Sequence, residues 1–265
     1  MELYFPSKKT FPSISSTGRE CMLSCSHCKG YYLQNMIDAS KEGLYRTCIG
    51  QKALGKAGAL ISGGSDAFGR VVFDSDELNK CMKIENFKKN IHLGLVDDIP
   101  PGIEKADAVS VDLPPSDRVV SDVYHLKEKN QQDYFDMLEL FESNGVRYVP
   151  HICVGIEYGC IKGEIETIEK LSSYSCDQLV ILSLKRTPKA PMTSNHINTS
   201  EYEKILIKAR DRFKYLNLGC MRNKEREKEN LWSYFDKIAW PSKIIKDELA
   251  RNGVDFRIFD TCCSV

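Results

Sequence analysis

Residues 129–154 read KNQQDYFDMLELFESNGVRYVPHICV, and this stretch decides the architecture. Its first half spaces Tyr134, Met137, Leu138 and Phe141 by three and four, which puts them on one face of a helix over 129–143. Asn144-Gly145 is a helix stop, because glycine takes up the left-handed turn that other residues resist. The segment that follows, VRYVPHICV over 146–154, reads as a strand. The same alternation runs through the chain. Strand candidates fall at 13–18, 58–62, 91–96, 108–113, 146–154, 178–184, 215–219 and 254–259. A second clear helix, 161–172, carries Ile161, Ile165, Ile168 and Leu171 on one face. Strands alternating with helices mean βαβ units around a parallel sheet. Eight units would make a TIM-type (β/α)8 barrel, complete or nearly complete, with a doubly wound open sheet as the rival. The motifs below follow several different strands and must converge on one site, which favours the barrel.

At 265 residues the chain suits one barrel domain over 1–265, and 42% hydrophobic with 28% charged residues is globular usage. Its 37 basic and 37 acidic residues cancel, which removes any overall electrostatic case for nucleic acid or an anionic membrane. No apolar run approaches the length of a membrane span. The opening MELYFPSKKT lacks the charged-then-apolar order of a signal peptide, so a cytoplasmic location is expected.

Eleven cysteines are the anomaly. A cytosolic chain of this size needs no disulfide staples, so this usage points to metal ligation or redox chemistry. Cys81, Cys160 and Cys176 have no partner pattern and read as ordinary buried thiols. The stretch CMLSCSHCKG is different. It sets Cys21, Cys25 and Cys28 in a C-x3-C-x2-C spacing directly after the first strand candidate. Three thiolates on one short loop can hold three irons of a [4Fe–4S] cluster and leave the fourth open to a ligand. A zinc knuckle would show matched C-x2-C pairs, and none is present.

This motif resembles that of the radical S-adenosylmethionine (SAM) enzymes, biotin synthase-like branch. The resemblance implies a cluster on Cys21, Cys25 and Cys28 whose open iron is chelated by the amino and carboxylate groups of SAM. It implies further that an electron from the cluster splits SAM to methionine and a hydrogen-abstracting 5′-deoxyadenosyl radical. His27 stands where the family usually has another aromatic residue. Gly63-Gly64-Ser65 corresponds to the family's Gly-Gly-Glu segment at the methionine amino group; Ser65 replaces the glutamate, and Asp66 is a candidate substitute. HICVGIEYGCIKGE resembles the stretch that packs along the adenine, with Gly155 and Ile156 in contact and Gly159 and Glu164 completing the pattern. A capping role for Glu164 competes. His151, Cys153 and Gly155 share strand parity, inward or outward, and Cys153 reads as core. His92 and Asp112, on the third and fourth strands, could reach SAM or substrate from inside the barrel.

LKRTPKAPM after the sixth strand is similar to the Pro-rich stretch of the same branch. NLGCMR and the closing DTCCSV set Cys220, Cys262 and Cys263 at the carboxyl ends of the last two strands, the expected rim of the SAM cluster. Three more thiolates there suggest an auxiliary iron–sulfur cluster held by a 260–265 tail, with Ser264, Cys48 or an exogenous group as fourth ligand. The chain as a whole looks like one subunit of the archaeal-type two-protein lipoyl synthases. That resemblance implies a paralogous radical SAM partner, an octanoylated lipoyl carrier protein as substrate, an electron donor, and sulfur given up by the auxiliary cluster at Cys262, Cys263 and Ser264. The single-chain lipoyl synthases carry auxiliary cysteines ahead of the SAM motif; Met1 to Glu20 hold none, so that class is not expected. Two other readings stay open: a different biotin synthase-like reaction, such as a mutase or cofactor maturase, and a non-catalytic iron–sulfur electron-transfer protein.

Overall fold

The computed structural model describes residues 1–190, 192 and 197–265. In chain order it contains β1 (Glu2–Tyr4), β2 (Ser13–Ser15), β3 (Ile37–Asp38), α1 (Leu44–Ala53), β4 (Gly58–Ser62) and α2 (Ser75–Met82). Next come β5 (Lys88–Ile91), β6 (Ala108–Asp112), α3 (Gln131–Ser143), β7 (Tyr148–Val154), α4 (Glu164–Leu171) and β8 (Gln178–Ser183). The chain finishes with α5 (Thr199–Arg212), β9 (Tyr215–Leu218), β10 (Lys237–Ala239), α6 (Lys243–Arg251) and β11 (Arg257–Phe259). The strands form one sheet in the order β11-β1-β10-β9-β8-β7-β6-β5-β4-β2-β3, with parallel pairing throughout.

The alternation of strand and helix is as expected, and each of the eight strand candidates yields a strand or overlaps one. The barrel expected as complete or nearly complete is present in part, without full closure. The sheet has eleven strands and ends at two edges, β3 and β11, each with one neighbour. It is a partial barrel. β1 inserts between β10 and β11, so the first and last strands of the chain lie side by side. The third candidate, 91–96, forms its strand earlier, over Lys88–Ile91, because the chain turns at Gly94 (φ 72°).

The helices cover one face of the sheet. Phe135 and Phe141 of α3 are fully buried there, and removing either ring would cost about 3–5 kcal/mol. The capping box of Asn130 and Asp133 starts that helix. No helix among the described residues is long and apolar enough to cross a membrane. The other face of the sheet encloses a lumen, and there the side chains turn polar. Asn90, Ser110, His151, Gln178 and Asn217 are all buried, although they alternate with apolar neighbours facing the helices.

Candidate functional site

The three cysteines of the first motif lie on the turn-rich loop after β2, at the carboxyl ends of the strands. A π-helical turn after β6, Val119–Val123, grips this loop. Ser26 N donates to Val123 O (2.8 Å), the Cys25 thiol to Tyr124 O (3.7 Å), and the His125 ring meets Leu23 O and Ser26 Oγ at 2.9 Å each. His125 sits at φ 63°, a left-handed conformation that a non-glycine residue holds only under constraint. π-turns of this kind recur at functional sites. The sequence analysis did not single out this clamp.

Gly64 explains how the second loop approaches the first. A Cβ there would lie 1.7 Å from Glu20 O, so only glycine lets the β4 loop pass the cysteine loop. Gly63 is nearly as tight, 2.5 Å from Ser16 Oγ, and Ser65 O accepts from Met22 N at 2.8 Å. Asp66, the candidate substitute for the glutamate, is engaged elsewhere. Its carboxylate is spent within its own hairpin, on Phe68 N, Arg70 N and Arg70 Nε.

Electrostatics inside the loop favour a thiolate. A hydrogen bond from Cys25 lowers the Cys28 thiol and raises that of Cys25, so the two share one proton, with further help to Cys28 from His27. His27 Nδ1 is buried without a partner, while its carbonyl accepts from Thr187 Oγ1 (3.4 Å) on the loop after β8. Part of the matching stretch, Pro191, lies outside the described residues.

On the β7 side, His151 and Cys153 face inward. Pairing opposes Asp112 to His151, the His151 ring stands 6.0 Å from that of His92, and His92 Nδ1 lies 3.7 Å from Asp112 Oδ2. Burial pulls Asp112 upward, but its pairing with His92 outweighs this and holds the carboxyl at about 2. Burial pushes His92 down and Asp112 raises it by more; burial, joined by the His92 charge and only partly offset by Asp112, takes His151 down to about 4. Gly155 and Ile156, expected to lie along an adenine, are enclosed by the protein's own groups. Gly155 adopts φ 74°, its N–H donates to the buried Glu164 carboxylate (2.9 Å), and Lys162 N donates to the other oxygen (2.7 Å). Glu164 therefore pins the loop. Ile156 is buried against Val119, Val123, Leu184 and Met192.

The closing cysteines differ most from expectation. They do not cap the rim: after β11 the chain turns down into the lumen. Asn90 Nδ2 donates to Cys262 Sγ (3.3 Å), Ser110 Oγ to Asn90 Oδ1 (2.8 Å), and both Asn217 Nδ2 and Lys237 Nζ to Cys263 O (3.4 Å). Arg147 donates to Ser264 O (3.2 Å) and to Asp107 O, and Val265 packs among Ala108, Val149, Val180 and Leu182. The 260–265 segment is thus a plug held from β5, β6, β9, β10 and the approach to β7. Cys263 shares a hydrogen bond with Cys262 that lowers the Cys262 thiol and raises its own. Ser264 Oγ and Asn217 Oδ1 are buried beside it without partners.

Cys220 follows β9 and opens onto the same lumen. Protein surrounds it although its surface stays accessible, and this desolvation raises its thiol to about 11, with the Cys262 charge adding to the effect. Arg222 fixes its loop. That guanidinium is buried, pairs with Glu227 at 2.5 Å, and donates to Gly219 O, Ala239 O and Trp240 O. Tyr32 feels thiols of both the first loop and β9: burial raises its hydroxyl, followed by the charges of Cys28, Cys153 and Cys220. Cys48 is elsewhere, buried in α1 and hydrogen-bonded to Cys81 of α2, so it does not join the plug.

Among the described residues no three His, Cys, Asp or Glu side chains converge closely enough for one metal ion. A cubane makes a different demand, since each thiolate binds its own iron. The donor set after β2, with three thiols, a depressed thiolate and the orphaned His27 Nδ1, fits that demand. The plug offers a second donor set with two orphaned polar atoms.

No family model and no curated protein matches the sequence. Solved structures do match in fold. Methylornithine synthase (PylB) superposes with a TM-score of 0.60 over 96% of this chain and 81% of that chain, at 13% identity. Streptococcus suis SuiB gives 0.57 over 97% of this chain and 53% of its own, also at 13%, so this chain spans about half of SuiB. The architecture described above, a parallel partial barrel, is similar to that of methylornithine synthase and of SuiB.

Proposed function

We propose that the protein is a cytoplasmic radical SAM enzyme that inserts sulfur into the octanoyl chain of a lipoyl carrier domain, working as one of two related subunits. The observation that carries this reading is the pair of cysteine sets facing one lumen: Cys21, Cys25 and Cys28 at the mouth, Cys262 and Cys263 deep inside, Cys220 opening between them. The fold neighbours are radical SAM enzymes, which supports the class of chemistry and not the substrate.

When bound, a cluster on the first set supplies the electron that splits SAM and so opens unactivated C–H bonds to attack. The chain's own residues prepare the site. The Val119–Val123 turn and Gly64 fix the loop, and the sharing of one proton between Cys25 and Cys28 keeps a thiolate ready. His92, Asp112 and His151 line the lumen between the two sets. The sheet walls the lumen and Val265 floors it, so a bound chain would be held between the two cysteine sets. Cys262, oriented by Asn90, faces that space with sulfur chemistry to offer.

Anaerobic reconstitution followed by reduction tests the first half of this reading. Wild-type protein should convert SAM to 5′-deoxyadenosine, and the C21A/C25A/C28A variant should not; cleavage persisting in the triple variant would overturn the cluster assignment. The second half rests on the plug. A C262A/C263A variant should still cleave SAM but transfer no sulfur to an octanoylated carrier. A different radical SAM reaction, the reading that likeness to methylornithine synthase favours, predicts that the double variant keeps its full turnover.

A further inference from the structure

Two neighbouring strands each spend a buried position on a polar residue. Asn90 of β5 and Ser110 of β6 are 1% and 3% exposed, where an unpartnered amide or hydroxyl would be costly. Pairing sets Asn90 opposite Ala108, so Ser110, two residues on, lies on the same face of the sheet. Their hydrogen bonds run in one line. Ser110 Oγ donates to Asn90 Oδ1 (2.8 Å), and Asn90 Nδ2 donates to Cys262 Sγ (3.3 Å), across 172 positions of sequence. Two residues further along the same strands, His92 and Asp112 pair with each other. Among the described residues only the deeper couple hydrogen-bonds to a cysteine of the plug.

The line has a direction, fixed by its ends. A deprotonated sulfur only accepts, so the amide must turn its NH2 to Cys262 and its oxygen to Ser110, whose hydroxyl supplies the proton that this oxygen needs. A hydrogen bond to Oδ1 also polarises the amide and strengthens its N–H as a donor. The plug leaves a group unsatisfied at the same place: Ser264 Oγ is fully buried and has no partner in the protein. A purely structural pair could satisfy itself on the backbone. This one delivers a donor to a sulfur.

We propose that Asn90, fixed and polarised by Ser110, is a positioning residue that raises the reduction potential of a cluster held at Cys262. This rests on the reading that the plug cysteines hold an auxiliary cluster. Hydrogen bonds to the sulfurs are among the factors that set such potentials. Reduction adds one electron, and the extra negative charge spreads onto the ligand sulfurs, so a donor aimed at Sγ stabilises the reduced state more than the oxidised one. The step is a one-electron transfer in which no bond is made or broken and no proton moves.

The test uses the full-length protein, reconstituted anaerobically and poised with dithionite at a series of potentials. Electron paramagnetic resonance follows the reduced clusters. SAM binds the open iron of the first cluster and shifts its signal, so the signal that SAM leaves unchanged belongs to the plug. Asn90→Leu keeps the size of the side chain and removes the N–H. At the wild-type midpoint of the plug cluster it should lower the ratio of reduced to oxidised cluster about three- to tenfold, with the first cluster's midpoint unmoved. Ser110→Ala should act in the same direction by less, and Ser110→Thr, which keeps the hydroxyl, should restore the wild-type value. An unmoved plug midpoint in the Leu variant, equal shifts at both clusters, or a Thr variant that behaves like the Ala one would overturn the role of Asn90. If the Leu variant fails to retain the plug's iron, the two Ser110 variants decide by the same criteria. Wild-type protein with iron for one cluster only would remove the auxiliary site and this inference together, whereas two clusters with an unmoved potential would remove the inference alone.

Discussion

Gly64 shows how one residue can set the site. With Glu20 O 1.7 Å from the position of an added Cβ, Gly64→Ala must push the cysteine loop away from β4. The expected result is about 1–3 kcal/mol of lost stability and a marked fall in iron retained after reconstitution, read from urea midpoints and iron assay. A variant with normal iron content would show that the close approach is not needed. His151 gives a pH signature of its own. Burial holds it at about 4, against about 6.5 in an unfolded chain. Between those values the unfolded state binds a proton that the folded state refuses. The stability tied to His151 is therefore complete above about pH 6.5 and lost progressively as the pH falls towards 4, by up to about 3 kcal/mol. His151→Gln should flatten that slope relative to wild type across pH 4–7; parallel slopes would contradict the burial account. At this scale the sequence was informative about chemistry. The C-x3-C-x2-C spacing and Gly63-Gly64 were both visible, and the structure puts them in contact. It was silent on Asn90, Ser110 and His125, because a polar residue within an apolar run has no pattern that names its partner.

Among the elements, long periodic ones were legible and short ones were not. The helix read over 129–143 forms over Gln131–Ser143, and the strand after it starts at Tyr148. β1, β3 and β10 are three residues or fewer, too short for alternation to register, and β1 gains its place only by pairing with strands from the other end of the chain. The plug was read as a rim tail for a similar reason: sequence order puts it after β11 but cannot say that it turns inward. Its contacts lead to a prediction. On the proposed reading, a chain ending after Asp260 should keep SAM cleavage but lose roughly half of its iron and all sulfur transfer, since an auxiliary cluster would go with the plug. Full iron content in that variant would remove the auxiliary site. Arg222 is the second test at this scale. Arg222→Ala would leave Glu227 buried without its partner and free the Cys220 loop, so a loss of about 3–5 kcal/mol in chemical denaturation is expected. An effect below about 1 kcal/mol would show that the buried pair does not hold the loop.

The whole molecule is a sheet rolled far enough to make a lumen and left open between β3 and β11. The mouth carries one cysteine set, the interior carries the other set, and imidazoles and a carboxylate line the space between. On the proposed reading the labour is divided between two related subunits. This chain alone should therefore leave the octanoyl group short of its second sulfur, and complete lipoyl product from it without a partner would contradict that division. The central claim is that the two cysteine sets act on one substrate. The most direct measurement incubates the reconstituted protein anaerobically with SAM, dithionite and an octanoylated carrier domain, and follows 5′-deoxyadenosine and carrier mass together. The account predicts 5′-deoxyadenosine from wild type and from C262A/C263A alike, with a sulfur atom gained by the carrier only in wild type. No 5′-deoxyadenosine from wild type, or an equal mass gain with the double variant, would contradict it.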